Sequence, residues 1–175
     1  KLYSPEYEGV RPTSDRAREA VFNILSSKLA GDWAACDMLD VFAGTGAVGL
    51  EALSRGVRSV TLLDVNLQTA RRNAALFAKE KDRISLISAD ASRLPSAPRQ
   101  YNLVFLDAPY NKGLSVAALQ SLAGQGWLAD GALVLVELEK NEPLEMESIP
   151  FFEQVDERRY GLARVVFLHF LPAKT

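Results

Sequence analysis

The chain has 175 residues, a length that fits one domain, and its 20 basic and 22 acidic residues nearly cancel. This balance excludes the strongly basic class of nucleic-acid-binding proteins, so any contact with nucleic acid has to come from a local patch. The single cysteine, Cys36, excludes an internal disulfide, and no segment approaches the roughly 18 apolar residues of a membrane span. We therefore expect a cytoplasmic monomer that has no contact with a membrane.

The first element is an extended arm, because Pro5, Gly9 and Pro12 interrupt residues 1–13. A helix follows, which begins near Thr13 or Ser14 and ends near Gly31. Its apolar residues recur at helical spacing. They are Ala17, Val21, Ile24, Leu25 and Leu29.

Strands and helices alternate from residue 36 onward, which predicts a parallel sheet with helices on both faces. The predicted strands are Met38–Phe42, Ser59–Asp64, Ile84–Ser88, Asn102–Asp107 and Ala132–Glu139. The predicted helices are Ala47–Arg55, Leu67–Lys79 and Val116–Leu122.

The end of the chain has a different pattern. Phe151–Arg159 and Ala163–Leu171 are both strand-like, and only the turn Tyr160-Gly161 with its neighbour separates them. Two strands joined by so short a link must be antiparallel. We therefore predict an α/β, Rossmann-like fold with a mixed seven-stranded sheet that ends in an antiparallel hairpin.

A glycine-rich loop follows the first predicted strand and opens a helix. Gly44, Gly46 and Gly49 fit the pattern G-x-G-x-x-G, in which glycine lets the backbone turn tightly and approach a ligand. Asp64 ends the next strand, where an acid accepts hydrogen bonds from ribose hydroxyls. Asp90 follows the third strand and is placed to meet an adenine edge. The loop alone is compatible with a turn that binds nothing, with a nicotinamide or flavin site, or with a site for S-adenosylmethionine.

Asp40 favours the third interpretation of this loop. An acid just ahead of the loop suits a ligand that carries an ammonium group, and it would repel a pyrophosphate. S-adenosylmethionine has both an ammonium and a sulfonium group. The predicted cofactor contacts are Asp40, Phe42, Gly44, Gly46, Gly49, Asp64, Val65, Asp90 and Ala91.

The tetrapeptide Asp107-Ala108-Pro109-Tyr110 follows the buried strand Leu103–Leu106, at the end where open α/β sheets bind ligands. The Asp107 carboxylate and the Ala108 carbonyl can each accept a hydrogen bond from an exocyclic amine, and the Tyr110 ring offers a face for stacking. These groups would hold an amino nitrogen and aim its lone pair, as methyl transfer to a nucleobase requires. We predict that Asp107, Ala108, Pro109 and Tyr110 form the catalytic loop.

Other candidate groups carry less information. His169 is the one histidine, it lies in the last predicted strand, and it has no candidate partner for base catalysis, so we interpret it as structural. No Cys/His grouping indicates a metal. The candidate phosphate contacts are Arg11, Arg16, Arg18 and Lys112. The alternative is that the helical arginines form a solvated face that pairs with Asp15 and Glu19.

Three segments resemble the bacterial RsmD family. They are Arg11–Asn23 (RPTSDRAREAVFN), Leu39–Gly56 (LDVFAGTGAVGLEALSRG) and Val104–Tyr110 (VFLDAPY). The loop and the tetrapeptide alone indicate an amino-methyltransferase, and Arg11–Asn23 narrows the resemblance to this family. Its members methylate the N2 amine of a guanine in small-subunit (16S) ribosomal RNA. The resemblance implies a class I methyltransferase fold, S-adenosylmethionine as cofactor, and ribosomal RNA as partner, in an assembling 30S particle.

The sequence departs from the family at two places. Ala108 stands where the family usually has the first proline of Asp-Pro-Pro, so the backbone carbonyl is kept but one locked φ angle is lost. Pro109 still biases Ala108 toward an extended conformation, and we expect a weaker or slower site. The basic segment that usually precedes Arg11 is shortened to Lys1–Val10.

The resemblance divides the chain into residues 1–35, an arm and helix that contact RNA, and residues 36–175, a methyltransferase domain, together forming one globular unit. Two other functions stay open. The chain could methylate an amine of another RNA or DNA base, since the tetrapeptide accepts any exocyclic amine. It could also be a non-catalytic RNA-binding assembly protein that keeps the fold, which the Ala108 replacement favours. A dehydrogenase is disfavoured by Asp40 and by the tetrapeptide.

Overall fold

The computed structural model describes residue 2, residues 15–110 and residues 113–172. These residues form one sheet with helices packed on both faces. The strands are β1 Asp37–Val41, β2 Ser59–Asp64, β3 Ile84–Ser88, β4 Tyr101–Leu106, β5 Leu128–Glu139, β6 Phe152–Tyr160 and β7 Ala163–Phe170. The helices are α1 Asp15–Lys28, α2 Ala47–Ser54, α3 Gln68–Ala75 and α4 Leu114–Gly124.

The seven strands lie in the order β3-β2-β1-β4-β5-β7-β6. Strands β1 to β5 are parallel to their neighbours among themselves, and β7 runs antiparallel to both β5 and β6. The predicted α/β fold with a terminal hairpin is therefore confirmed. The strand order reverses between β1 and β4, and open α/β sheets bind ligands at the carboxyl ends of the strands at such a point.

Two apolar clusters hold the helices on the sheet. On one face, α1, α2 and α3 pack against the sheet, and Val21, Phe22 and Leu25 are the buried residues of α1. On the other face, α4 packs through Ala118, Leu119 and Leu122. Every residue of β1 is buried, as expected for a central strand that is covered on both faces.

The far end of α1 is held against the hairpin. Lys28 Nζ lies 2.9 Å from an Asp156 carboxylate oxygen and 5.0 Å from the centre of the Phe167 ring. Because α1 shares the core of the sheet, the described part of residues 1–35 packs as part of the same unit as the rest of the domain.

Three element boundaries were predicted wrongly. The helix predicted over Leu67–Lys79 ends at Ala75, because Phe77 packs against the core and the chain continues as a 3-10 helix, Ala78–Arg83. Strand β5 begins at Leu128, before the predicted Ala132, because Leu128 pairs with Tyr101 ahead of a shift in register. The helix predicted to end near Gly31 ends three residues earlier, at Lys28, and the remaining described boundaries agree to within two residues. The predicted cap at Thr13 or Ser14 lies outside the described residues.

Membrane-spanning helices and metal-binding clusters were searched for in the described residues. In that part of the chain, no helix is long and apolar enough to cross a membrane. Nor do three or more acidic, histidine or cysteine side chains gather there in a group that could hold a metal ion.

A cluster of polar side chains joins three strands at the amino edge of the sheet. The Asp37 carboxylate accepts hydrogen bonds from Arg58 Nε at 3.0 Å and Ser59 Oγ at 2.8 Å, and Arg99 Nη2 lies at 3.0 Å. The Asp37 amide donates to Asn102 Oδ1 at 2.8 Å. The hydrogen-bonded Arg58 guanidinium holds the pKa of the Asp37 carboxyl below its ordinary value, and burial opposes this effect.

Asp37→Asn should lower the free energy of unfolding at neutral pH by about 1–2 kcal/mol, because the carboxylate accepts charged hydrogen bonds from half-exposed arginines. A carboxyl whose folded pKa is depressed stabilises the protein above its unfolded pKa of about 3.9 and loses this contribution as the pH falls further. Urea unfolding at neutral and acidic pH tests this, with the exposed Asp82→Asn as the control. An equal loss in Asp37→Asn at both pH values would contradict it.

Candidate active site at the carboxyl edge

The loop that joins β1 to α2 has an unusual backbone. Phe42 has a φ of 59°, a left-handed conformation that a bulky residue adopts only under strain. Gly44 and Gly46 follow at φ 55° and 81°. Strained backbone of this kind clusters at ligand-binding sites, where the surrounding structure holds it in place.

The three glycines of the loop have different reasons to be glycine. A Cβ on Gly49 would lie 2.5 Å from Leu62 Cδ2, and one on Gly46 would lie 2.9 Å from Leu62 Cδ1, so both allow α2 to approach β2 closely. A Cβ on Gly44 would have no atom within 4 Å, so its backbone faces open space. Gly44 is therefore the position at which a ligand could approach the loop backbone.

Asp40 lies beneath this loop. Its side chain is buried, and its Oδ2 accepts a hydrogen bond from the Gly49 amide at 2.9 Å. Burial raises the pKa of Asp40 to about 8, the Gly49 hydrogen bond opposes this, and the Asp64 carboxylate adds to it. A contact with a ligand ammonium would need a side chain that faces the cleft, whereas only 2% of Asp40 is exposed. In this structure the Asp40 side chain instead stabilises the turn through its hydrogen bond with Gly49.

Asp64 reaches the loop from the end of β2. Its Oδ2 accepts the Gly44 amide at 2.9 Å, and its Oδ1 accepts the Asn66 amide at 3.4 Å. The next residue, Val65, is 68% exposed and offers an apolar surface beside the acid. The structure thus brings Gly44, Asp64 and Val65 together, as the sequence predicted.

Asn73 is a site residue that the sequence analysis missed. It is fully buried in α3, and its Nδ2 donates to the Thr45 carbonyl at 2.8 Å, so α3 holds the glycine loop from a third side. Its sequence signal is a polar residue at helical spacing from the apolar Leu67 and Ala70, where the pattern calls for an apolar one.

Asp90 and Ala91 lie beyond β3, at the same edge of the sheet. Asp90 Oδ1 accepts the Ser92 amide at 2.9 Å and the Ser92 hydroxyl at 2.7 Å, and these hydrogen bonds hold the pKa of Asp90 below its ordinary value. Ala91 is buried in the apolar cluster on the α4 face. The Asp90 carboxylate is thereby fixed on an exposed loop at the carboxyl edge.

The tetrapeptide after β4 lies beside the glycine loop. Val41 pairs with Leu106, so the residues that follow, Phe42 and Asp107, leave neighbouring strands side by side. The Asp107 amide approaches the Val41 carbonyl at 3.4 Å. Neighbouring strands are about 4.8 Å apart. A ligand bound on the glycine loop would therefore lie next to a substrate amine held at Asp107.

Within the tetrapeptide, burial separates the four residues. Ala108 is buried and packs in the cluster on the α4 face, whereas Pro109 and Tyr110 are exposed. Tyr110 is 51% exposed, so it is not a packing residue of the sheet edge and its ring can stack on a base.

The predicted phosphate contacts have mixed placements. Arg16 is exposed on α1. Arg18 donates to Asp15 at 2.9 Å and keeps 26% of its side chain exposed, which agrees better with the local pairing that was the alternative. Arg11 and Lys112 lie outside the described residues. His169 is exposed in β7, where it pairs with Leu133 near the opposite edge of the sheet from Asp107, and its structural interpretation stays a prediction.

Asp40→Asn should change how stability depends on pH. A carboxyl with a raised folded pKa binds its proton more tightly in the folded protein, so the wild type should lose stability as the pH rises from about 4 toward about 8. The asparagine of the variant cannot ionise, and its amide oxygen can still accept the Gly49 hydrogen bond. Urea unfolding between these pH limits should show that the free energy of unfolding of the variant increases relative to that of the wild type as the pH rises. Parallel plots of unfolding free energy against pH would contradict this.

Comparison with known proteins agrees with this geometry. The chain matches the family described as Conserved hypothetical protein 95 over residues 1–169. It is 39% identical over 143 residues to ribosomal RNA small subunit methyltransferase D of Escherichia coli, covering 79% of this chain and 69% of that protein. A provisionally named methyltransferase of Escherichia coli has the same fold at a TM-score of 0.78 and 31% identity, covering 97% of this chain and 91% of that one.

The fold extends to more distant enzymes. The N-methyltransferase NodS of Bradyrhizobium japonicum, solved with S-adenosyl-L-homocysteine, aligns at a TM-score of 0.67 and 15% identity, covering 91% of this chain and 89% of that one. That likeness concerns the fold alone. Because the family model matches residues 1–169 and the identity to the Escherichia coli enzyme is 39%, the chain belongs to the RsmD family, and its structural likeness to the Escherichia coli methyltransferase shows the fold of the class I methyltransferases.

Proposed function

We propose that this protein transfers a methyl group from S-adenosylmethionine to the exocyclic N2 amine of a guanine in small-subunit ribosomal RNA. The observation that carries the proposal is the register of β1 and β4, which sets the glycine loop and Asp107-Ala108-Pro109-Tyr110 side by side. One loop suits a cofactor and the other suits an exocyclic amine, and methyl transfer needs the two in contact.

The residues of the glycine loop fit S-adenosylmethionine. Gly44 leaves open space over the backbone, Asp64 stands at the end of β2 where it can accept ribose hydroxyls, and exposed Val65 offers an apolar surface to a base. When bound, this cofactor supplies an electrophilic methyl group on a sulfonium. Asp90 is fixed close by, at the end of β3, where it can accept the amine of an adenine.

On the acceptor side, the chain has to make an aromatic amine nucleophilic. The Asp107 carboxylate and the Ala108 carbonyl would accept the two amine hydrogens and turn the lone pair out of conjugation with the ring. Positioning of this kind can contribute about 7–11 kcal/mol in well-oriented systems. The negative charge of Asp107 also stabilises the positive charge that develops on nitrogen. Exposed Tyr110 would stack on the target base once that base has left its own stack.

The burial of Ala108 bears on the departure from the family pattern. Its methyl group packs in the apolar cluster on the α4 face, so the surrounding core fixes the residue and compensates in part for the missing proline ring. The carbonyl belongs to the backbone and survives the replacement.

Ribosomal RNA is the proposed substrate for two reasons. Relatives such as the Escherichia coli protein are named ribosomal RNA small subunit methyltransferase D, and the segment Arg11–Asn23 resembles the corresponding segment of the family. The choice of guanine N2 rests on the same resemblance. Residues 1–35 as an RNA contact, the assembling 30S particle as partner, the monomeric state and the cytoplasmic location stay predictions.

The proposal is tested by supplying labelled S-adenosylmethionine and small ribosomal subunits from cells that lack the modification, then identifying the methylated nucleoside. We expect N2-methylguanosine. Another methylated amine would keep the chemistry and change the substrate. No transfer, with S-adenosylmethionine bound normally, would overturn the proposal in favour of an RNA-binding assembly protein.

Asp107→Ala should lower kcat by at least about 10²–10³-fold, the usual loss when a group that stabilises developing charge is removed. Asp107→Asn should retain more activity, since it keeps an oxygen acceptor without the charge. Affinity for S-adenosylmethionine, measured by calorimetry, should stay within about twofold, and the exposed Asp130→Asn serves as a control. Turnover of Asp107→Ala within about tenfold of the wild type would rule out this role.

A further inference from the structure

Leu162 lies at the tip of the hairpin that β6 and β7 form. It is 80% exposed, more than any other large hydrophobic residue in the part of the chain that the structure describes. A single exposed leucine is common on protein surfaces, so its meaning depends on the geometry of the turn and on what lies nearby.

The turn itself does not require a leucine. Only Gly161 and Leu162 separate Tyr160 from Ala163, and these last two residues pair with each other. Gly161 has a φ of 60° whereas the φ of Leu162 is not positive, as in hairpin turns that have glycine at the first central position. Small polar residues are favoured in such turns, because their side chains form hydrogen bonds with the nearby backbone. Neither the core nor the turn therefore explains the apolar side chain at position 162.

The tip lies at the edge of the sheet that holds the proposed active site. Strand β7 is antiparallel to β5, so the turn that precedes β7 lies beside the carboxyl end of β5. The amide of Lys140, directly after β5, donates to the Leu162 carbonyl at 2.8 Å. Asp107 follows β4, which is parallel to β5 and next to it. The hairpin tip and the Asp107 loop therefore share the carboxyl edge.

The hairpin extends beyond the level of Asp107. Leu106, the last residue of β4, pairs with Val136 of β5, and β5 continues for three more residues to Glu139. At about 3.3 Å per residue, β5 and the strands paired with it extend about 10 Å past the end of β4. These paired ends form a wall beside the Asp107 site, and the wall consists of residues 137–139, 163–165 and 158–160.

The wall is held firmly in place. Leu138 of β5 and Val165 of β7 are buried, and they belong to the apolar clusters on opposite faces of the sheet. Strand pairing continues up to the turn, where Tyr160 pairs with Ala163. A tip that is ordered by folding avoids much of the entropy cost of being ordered when a ligand binds.

The tip is close enough to contact nucleotides next to a base that is held at Asp107. Strand β7 lies two positions from β4, so along the sheet it is about 10 Å from Asp107 at about 4.8 Å per strand. Successive bases of a nucleic-acid strand are spaced by about 3.4 Å, so this distance corresponds to about three bases. A base at Asp107 and a base at Leu162 can therefore belong to one short stretch of RNA.

We propose that Leu162 is an apolar wedge that inserts between bases flanking the target guanine, an inference that rests on the proposed function. An enzyme that acts on a base of a stacked strand has to take that base out of the stack. Apolar side chains such as leucine unstack neighbouring bases when they insert between base steps. Leu162 keeps the strand open on one side while the Asp107 loop holds the target amine.

The contact at the tip is apolar rather than ionic. Tyr160, Gly161 and Leu162 carry no charge at neutral pH, and the wall beneath them contains both arginines and glutamates. The chemistry of Leu162 therefore suits the face of a base and not a phosphate group. Such a contact releases no counterions, so its contribution to binding does not depend on salt.

Leu162→Ala shortens the wedge and leaves the backbone of the turn unchanged. With small ribosomal subunits that lack the modification, kcat/KM should fall by about five- to twentyfold, because a buried leucine contributes more than alanine. The salt dependence of RNA binding and the affinity for S-adenosylmethionine should stay as in the wild type. Leu162→Met should retain most of the activity, because methionine keeps the apolar volume. A kcat/KM of Leu162→Ala equal to that of the wild type would overturn the wedge.

A matched control makes the same substitution at the other end of the hairpin. Leu171 is 47% exposed, and its amide donates to the Phe151 carbonyl at 2.7 Å, at the amino edge of the sheet. Leu171→Ala should leave kcat/KM unchanged. Equal losses in Leu162→Ala and Leu171→Ala would overturn the wedge, since they would show only a general effect on the hairpin.

Photocrosslinking identifies what the tip contacts and separates this inference from the proposed function. A benzophenone amino acid in place of Leu162 should crosslink to RNA bases within a few nucleotides of the methylated guanine, and one in place of Leu171 should not. Crosslinking from position 162 to a ribosomal protein, or to nothing, would overturn the wedge while methylation by the wild type leaves the proposed function standing. Crosslinking to RNA without any methylated product would overturn the proposed function and support the contact at the tip.

Discussion

The hydrogen bond that the buried Asp40 carboxyl group accepts from the Gly49 amide fixes the glycine loop to the sheet. A carboxyl group without a hydrogen-bond partner would be costly to bury, so Asp40 needs the Gly49 amide. The amide reaches Asp40 only because α2 comes close to β1 and β2. That approach in turn requires glycine at position 49, where a Cβ would collide with the side chains of Leu62 and Val60. The acid and the glycine therefore depend on each other, and the loop between them has little freedom.

This constraint extends from the loop to the chemistry. The Asp64 carboxylate and the Asn73 amide hold Gly44 and Thr45 from two further sides, so the backbone that would meet the cofactor is held before a ligand arrives. A preformed site avoids much of the entropy cost of ordering a loop on binding. Because β1 pairs in register with β4, a loop held at Phe42 also sets the position of Asp107. A methyl donor and an acceptor amine would then meet at a distance that the sheet determines.

The sequence predicted best the features that depend on local geometry. The alternation of strands and helices, the glycine loop and the tetrapeptide after β4 follow from spacing and backbone conformation, and the fold confirms their placement. Features set by contacts between distant residues were harder to predict. The direction of the Asp40 side chain depends on Gly49, the role of Asn73 depends on Thr45, and the early end of α3 depends on how Phe77 meets the core. Arg18 pairs with Asp15. The spacing of charged residues along α1 could not decide between this pairing and a contact with phosphate.

The nearly neutral charge of the chain also has a structural explanation. At the carboxyl edge, Asp64 and Asp90 accept backbone amides and hold loops in place, whereas buried Asp40, whose pKa is raised to about 8, contributes little charge at neutral pH. The arginines of α3 are exposed near the same edge. The sum over all residues counts buried and exposed groups equally, whereas a ligand in solution meets only the exposed ones. A protein of this composition can therefore expose local groups of positive charge without any excess of basic residues.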